Sequence, residues 1–449
     1  MVGATDVHGC FEEPLPAAFA DLDPAAAAAA VEDWVAHADV TFGDETKPFK
    51  LDPVPRVLSA AEWDPLAAGL GQRVRALDRF VADVYGRQRI VRDGVIPATA
   101  VATAEYFEPL MQQAVHEERR FITIAGLDCV RGPDGAFRVL EDNVRTPSGI
   151  SYTTAARAAV TSHVPAPEGL QPLDGAFDAL GAALLAAAPA GVDEPVVAIL
   201  SDGPSNSAFW DHRTIAARLG VPLVRLADLR LKDGFLCART DDGELRLDVV
   251  YRRTDEDRLG HPRGGLTPVA QLLLEPWSRG RLGLVNAFGT GVADDKLLHA
   301  HVEQMIRFYL DEEPMIESVR TYDLMEPGVL HRALDRLDEL VIKPRAGHGG
   351  AGVVIGPRAS EQERGAAADA LRAAPAEYVI QEYSPLSVHP TVIDGRLEPR
   401  HVDLRPFVFY GVGEPYAMPG GLTRVALDEG EMIVNSSRNG GAKDTWVVA

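Results

Sequence analysis

The sequence predicts a mixed α/β protein with a helical N-terminal region, a β-hairpin segment, a small α/β unit and a strand-rich C-terminal segment. Three observations carry that expectation. Helical spacing of apolar residues dominates the first hundred or so positions. From about residue 119, short apolar runs bounded by Gly, Pro and Asp take over. Between 195 and 257, strand and helix patterns alternate, the mark of a partly parallel sheet.

Each element follows from local chemistry. DPAAAAAAVEDWVAHA (23–38) offers Asp23 as N-cap and Pro24 at the first helical position, where a missing N–H costs nothing. Residues 60–86 keep apolar side chains at helical spacing and stop at Gly86. RFITIAGLDCVRGPDGAFRVLEDNV (120–144) is two β-rich runs around Gly132-Pro133-Asp134-Gly135, and reads as a hairpin. PVVAILSDG (195–203) is a buried strand, SNSAFWDHRTIAARLG a helix ending at Gly220, and VPLVRLADL and LDVVYRRTDED two further strands. ADDKLLHAHVEQMIRFYL reads as one helix leading into the C-terminal strands. The resulting division is 1–110 (mainly helical), 111–165 (hairpin and strands), 166–285 (small α/β unit) and 286–449 (lysine, Gly-loop and hinge segments).

Composition narrows the function classes. The 449 residues are 46% apolar and 24% charged, an ordinary mix for a globular protein. A formal charge of −22 argues against nucleic acid or an anionic membrane as main partner. Cys10, Cys129 and Cys237 are too few and too scattered for a disulfide framework or a thiolate zinc site. The N-terminus lacks the pattern of a secretory signal, and no apolar run is long enough to span a membrane, so a reducing cytoplasm is the expectation.

The candidate chemistry is spread along the chain. In VLEDNVRTPSG (139–149), Glu141 and Asn143 share one strand face, and antiparallel pairing brings Asp128 beside them. Two carboxylates and an amide oxygen are hard ligands suited to Mg²⁺. Read alone, the same end also fits a solvated acidic turn. VIKPRAGHGGAGVVIG (341–356) is strand, Gly loop, strand; Lys343, His348, Gly349, Gly350 and Gly352 suit a triphosphate, although an ordinary glycine-bulged hairpin fits too. In YVIQEYSPL, Glu382 is placed to reach a ribose hydroxyl beside an adenine-binding hinge. Arg405 and Arg424 lie on strands where a guanidinium fork can clamp phosphate or carboxylate, and Asn435 sits in a Gly-rich terminal stretch. Arg145, Ser148, Asn206, Ser207, Arg252 and Arg253 are substrate candidates, the last four from the carboxyl ends of strands in the α/β unit.

Together these motifs resemble the ATP-grasp superfamily in a circularly permuted order. Lys343 with GHGGAG, then QEY, then Asp403-Leu404-Arg405, then Asn435 with Gly440-Gly441 follow its usual sequence. The closing strands stand upstream instead, as Gly126-Leu127-Asp128 and Glu141-Asp142-Asn143 with Pro147-Ser148-Gly149. This layout is similar to glutathionylspermidine synthases, and nearly the whole chain resembles circularly permuted ATP-grasp type 2 proteins. The resemblance implies a circularly permuted ATP-grasp fold with an inserted small α/β (pre-ATP-grasp-like) domain. It implies ATP and Mg²⁺ as cofactors, Asp128, Glu141 and Asn143 as metal ligands, Lys296 and Lys343 as ATP-binding lysines, and Gln381 with Glu382 at the adenine hinge. Arg405, Arg424 and Lys343 would act in catalysis. One departure stands out: the synthases carry an arginine where this chain has Gly126, leaving Arg405, Arg424 or Arg145 to replace it. The implied reaction is ATP-dependent joining of a small-molecule carboxylate to an amine. A small-molecule phosphotransferase and a non-catalytic nucleotide-binding subunit are the competing readings. A homodimer is compatible with the sequence, but no interface can be read from it.

Overall fold

Ile124–Arg131 and Phe137–Asn143 pair antiparallel as expected, and the hairpin they form sits in a ten-stranded sheet. The computed structural model describes residues 10–43, 47–113, 119–240, 243–254, 258–347, 350–432, 434 and 440–449. Along the large sheet the order is Leu51–Ser59, Gly441–Val448, Leu422–Val425, Arg396–Arg405, Ile124–Arg131, Phe407–Phe409 and Tyr416–Ala417. The hairpin therefore lies directly against strands some 270 positions later in sequence: Leu404 pairs with Cys129, and Phe407 with Gly126. That meeting joins segments from distant parts of the chain in one sheet.

Two four-stranded sheets and one three-stranded sheet accompany the large one among the described residues. Thr321–Asp323, Tyr378–Glu382, Leu340–Pro344 and Val354–Ile355 form an antiparallel sheet in that order, with the Gly loop joining the last two strands. In the α/β unit, Gly283–Val285, Val249–Arg253, Val197–Ser201 and Leu223–Val224 are parallel throughout, where the sequence suggested a partly parallel arrangement.

Helix Ala60–Tyr85 carries the main core. Ser59 and Glu62 form a capping box at its start, and Gly86 follows its last turn. Leu66, Leu70, Val74, Leu77, Phe80, Val81 and Val84 form one buried stripe, each contributing about 1.5–3 kcal/mol by transfer from water. Helix Pro24–His37 starts as expected, with Asp23 accepting from the Ala26 N–H at 2.8 Å.

Three local readings change. Leu51–Ser59, inside the region taken as helical, is a strand; its Pro53 and Pro55 are tolerated because it is the last strand at its end of the sheet order. Residues 290–310 are not one helix but a 3₁₀ turn, Thr290–Asp294, followed by Lys296–His299 and Val302–Leu310. Asp295 restarts the chain there: it is extended, and its carboxylate caps the N–H groups of Leu297 and Leu298. Finally, Leu229–Lys232, Phe235–Thr240 and Gly243–Arg246 make a small antiparallel meander. Its first turn is Asp233-Gly234, both at positive φ, a hairpin signal present in the sequence.

Candidate active site

The end of VLEDNV divides its side chains between two faces. Asp128 lies directly opposite Glu141, and Gly126 opposite Asn143, so Asp128, Glu141 and Asn143 share one face. Asp142 points the other way, into the core. There Arg73 grips it bidentately at 2.6 and 2.8 Å, and the His299 ring lies 2.7 Å away. Burial pushes the Asp142 carboxyl up, but Arg73 and His299 outweigh it and hold the group well below the usual range. The middle carboxylate is thus a structural anchor that pins the other two in place.

The shared face opens on a cavity of about 360 Å³. Lys343, at the end of Leu340–Pro344, enters from the Gly-loop sheet. Burial draws it down to about 8, helped by Lys296 and opposed by Glu141 and Asp128. Lys296 stands 3.5 Å from Glu141 and donates to the Gly347 carbonyl at 2.7 Å, linking the hairpin to the Gly loop. Gly350 and Gly352 both have positive φ, and a Cβ at Gly352 would meet Pro344 at 2.8 Å. His348, Gly349 and Asn435 lie outside the described residues.

The far part of the cavity is apolar on one side and polar on the other. Leu140, Val341, Ile355 and Met432 contribute apolar wall, and Gln381, Glu382, Tyr383 and Ser384 form the hinge edge. Glu382 is engaged by the Tyr322 hydroxyl at 2.6 Å and by Arg336, so a ribose would have to compete with these partners. Gln381 donates to the Thr321 hydroxyl at 2.9 Å.

Arg405 and Arg424 close the hairpin side. Arg405 binds both oxygens of Asp128 at 2.6 and 2.8 Å, while Arg424 bridges Asp128 at 2.9 Å and Asp403 at 2.8 Å. Burial raises the Asp128 carboxyl, but the two guanidiniums prevail and keep it below the ordinary range. A Cβ on Gly126 would meet Pro147 at 2.9 Å and the Arg405 Cδ at 3.5 Å. The space a side chain at 126 would need is taken first by Pro147, with the Phe407 ring and the Arg405 stem in ordinary contact beside it. Arg145 is turned elsewhere, over the Tyr106 ring and toward Asp294.

The donors suit a divalent cation that brings other oxygens with it. Among the described residues no cluster of three His, Cys, Asp or Glu could hold a metal ion by itself. The Glu141 carboxylate and the Asn143 side-chain oxygen would be hard ligands on the cavity wall, while the buried, unpartnered Asn143 amide nitrogen calls for an acceptor such as a phosphate oxygen. Asp128 would have to share its carboxylate with two arginines. That set fits Mg²⁺ bound jointly with nucleotide phosphates, the usual habit of that ion.

The remaining candidates separate. Arg145, Ser148 and Ser207 line a second cavity of about 230 Å³, which shares Asn143, Arg405 and Arg424 with the first. Asn206 is turned to its own loop, bonded to Asp202 and the Ala208 N–H. Arg252 and Arg253 line neither cavity. Arg252 is fully buried, donating to the Asn286 carbonyl at 3.0 Å and stacking on Phe288. Arg253 donates to the Pro147 carbonyl at 2.6 Å and to the Ser148 hydroxyl, holding the loop from behind. A polar residue at a strand end had suggested a ligand, but both side chains satisfy backbone carbonyls instead. Asp211 and Asn286 were not foreseen. Asp211 accepts the Gly149 and Ser151 N–H groups, and Asn286 bonds Thr123, Ile124 and Val144, joining the α/β unit to the hairpin. Neither stands in a motif, since each serves backbone remote in sequence.

Comparison with known proteins agrees with this geometry. Residues 55–426 match the family model described as circularly permuted ATP-grasp type 2, and the chain belongs to that family. It is 43% identical over 411 residues to a Frankia casuarinae protein named "Putative glutamate--cysteine ligase 2-2", covering 90% of this chain but 47% of that one. An uncharacterised Mycobacterium tuberculosis protein is 40% identical over 462 residues, covering 99% of this chain and 83% of the other. The chain thus spans about half the length of the ligase-named relatives it matches. A glutathione synthetase like-effector from Globodera pallida shares the fold, with a TM-score of 0.63 at 12% identity over 97% of this chain and all of that one. Among the described residues no helix is long and apolar enough to cross a membrane.

Proposed function

We propose that the chain is an ATP-dependent carboxylate–amine ligase that forms an amide through an acyl phosphate and releases ADP and phosphate. The observation that carries this is the convergence of Lys296, Lys343, Glu141, Asn143 and the paired arginines 405 and 424 on one cavity. Family membership supports it, and so do the ligase names of the half-length matches, with the reservation that those names describe proteins twice as long.

In this reading Lys343 and Lys296 hold the phosphates, and the Gly loop covers them and excludes water. Bound Mg²⁺, held by Glu141 and Asn143 with Asp128, would neutralise charge on the phosphate oxygens. A carboxylate oxygen of the acid attacks the γ-phosphorus, the bond to the β-phosphate oxygen breaks, and ADP leaves. The amine then attacks the acyl carbon, the bond to the phosphate oxygen breaks, and the amine proton passes to solvent. Arg405 and Arg424 stand where negative charge grows in both steps. No side-chain nucleophile is needed, because positioning and electrostatics supply the rate.

The test is product analysis with Mg-ATP, pooled acids and pooled amines, with Glu141→Gln as control. ADP together with a condensed product is expected only when both pools are present, and the variant should lose at least about a hundredfold in rate. A stable phosphorylated product formed without an amine would favour the phosphotransferase reading.

A further inference from the structure

A third cavity, of about 770 Å³, shares no lining residue with the other two. It lies where strand Ile124–Arg131 begins and strand Phe407–Phe409 ends, since the Tyr410 N–H donates to the Thr123 carbonyl at 2.7 Å. Asp128 stands further along the first of these strands, at the nucleotide cavity. Three guanidiniums line the third cavity, those of Arg79, Arg119 and Arg120, and among the described residues Asp78 is the one carboxylate there. A positive surplus of this kind stands out in a chain whose formal charge is −22.

Little in the chain answers this charge. Arg79, exposed at the rim, donates to the Tyr309 carbonyl. Arg119 lies 5.1 Å from the centre of the Trp277 ring and donates to the Trp277 carbonyl, a neutral partner. Burial draws its guanidinium below the ordinary value, and no carboxylate offsets that cost. Arg120 lies 3.3 Å from the centre of the Tyr410 ring, and its buried Nη1 has no hydrogen-bond partner. Asp78 stands 3.8 Å from that nitrogen and is already engaged, accepting the Phe121 and Ile122 N–H groups at 2.7 and 2.9 Å. A buried charged donor left unpaired is costly and calls for an acceptor that the chain does not supply. The facing wall is small and apolar, with Ala183, Ala186, Ala187 and Val412 upon it.

We propose that this cavity is a second anion site, separate from the nucleotide cavity, and that it takes a small organic phosphate. Arg119 and Arg120 receive the phosphoryl group, and the organic body lies along the alanine wall. Three guanidiniums against one carboxylate leave two positive charges in excess, which match a phosphate monoester at about −1.5 to −2. At about 770 Å³ the cavity lies within the roughly 300–1,000 Å³ of small-molecule sites, so a bare inorganic ion would leave most of it unfilled. The site stands apart from the ligase reading, because none of its residues lines the nucleotide cavity.

The experiment is calorimetry on the full chain with phenyl phosphate as probe and benzoate as its carboxylate counterpart. Mg²⁺ and a non-hydrolysable ATP analogue are present in excess, to occupy the nucleotide cavity. Phenyl phosphate should bind at one per chain and about tenfold or more tightly than benzoate, the scale of one charge-assisted hydrogen bond. Arg120→Gln should weaken that binding by about tenfold or more. Ala186→Glu, at an exposed position on the facing wall, sets a carboxylate in the cavity and should weaken it too; it decides the matter should Arg120→Gln fail to fold. Lys343→Met, a change at the nucleotide cavity, should leave phenyl phosphate binding within about twofold. No binding of phenyl phosphate, equal binding of benzoate, or binding unchanged in Ala186→Glu overturns the assignment. Binding lost in Lys343→Met overturns it as well, because the probe then sits in the nucleotide cavity.

Discussion

Nucleotide affinity should depend on pH through Lys343. Burial draws that ammonium to about 8 in the free protein. Phosphate oxygens would raise it again, since an opposite charge favours the protonated form. The favourable contribution is therefore fully present below about 8 and fades as pH rises through that value toward the higher pKa of the complex. With a free-state value of about 8, roughly nine-tenths of the chains carry the charge at pH 7 and one-tenth at pH 9. Apparent ATP affinity should thus fall by close to tenfold over those two units, with about one proton taken up per ATP bound at pH 9. An unperturbed lysine would be flat over the range, because its pKa lies near 10.4. Calorimetry in buffers of different ionisation enthalpy reads both quantities at each pH. Lys343→Arg, always charged, should abolish the slope, and Lys343→Met should abolish both the slope and most of the affinity. Wild-type affinity constant to pH 9, with no proton uptake, would refute the placement of Lys343 at the phosphates.

Further predictions follow the same geometry. Arg73→Met should destabilise the fold by about 3–5 kcal/mol in urea titrations, because it strands the buried Asp142 carboxylate. Arg424→Met leaves the buried Asp403 without its bidentate partner, while Asp128 keeps Arg405, and should cost a similar amount at pH 8. In that variant burial holds the Asp403 carboxyl further above its unfolded value, so stability should recover as pH falls toward 5, and adding Asp403→Asn should restore much of it at pH 8. Gly126→Ala should cost about 1–3 kcal/mol by thermal denaturation, since its Cβ would meet the Pro147 side chain at 2.9 Å. Asn286→Leu should destabilise by about 2–5 kcal/mol, because the Thr123, Ile124 and Val144 backbone groups lose their partner in the interior.

Much of this was readable before the chain was folded, and the reason is locality. The 124–143 hairpin, the glycine-loop strands at 340–355 and the helix caps at Asp23 and Gly220 depend on neighbours within a few positions, where turn chemistry and side-chain periodicity act. A count from the turn brings Asp128 only to residues around 140–141; an irregularity in the pairing between Asp128 and Cys129 sets it opposite Glu141. The motif order was also legible, and with it the permuted family.

Other features depended on partners that sequence spacing cannot show. Strand alternation in EDN sets Glu141 and Asn143 on one face, but nothing in it shows that Asp142, on the other, is buried against Arg73 and His299. Arg252 and Arg253 read as binding residues, and only the folded neighbourhood shows them spent on carbonyls of Asn286 and Pro147. The strand Leu51–Ser59 was hidden because its prolines argue against a sheet, a penalty that lapses at a sheet's end. The sequence by itself determined the kinds of groups present and their local faces. Tertiary structure decided their charge partners: Arg405 reaches Asp128 only because strands more than 270 positions apart pair side by side, and long-range pairing leaves no periodic trace in the chain.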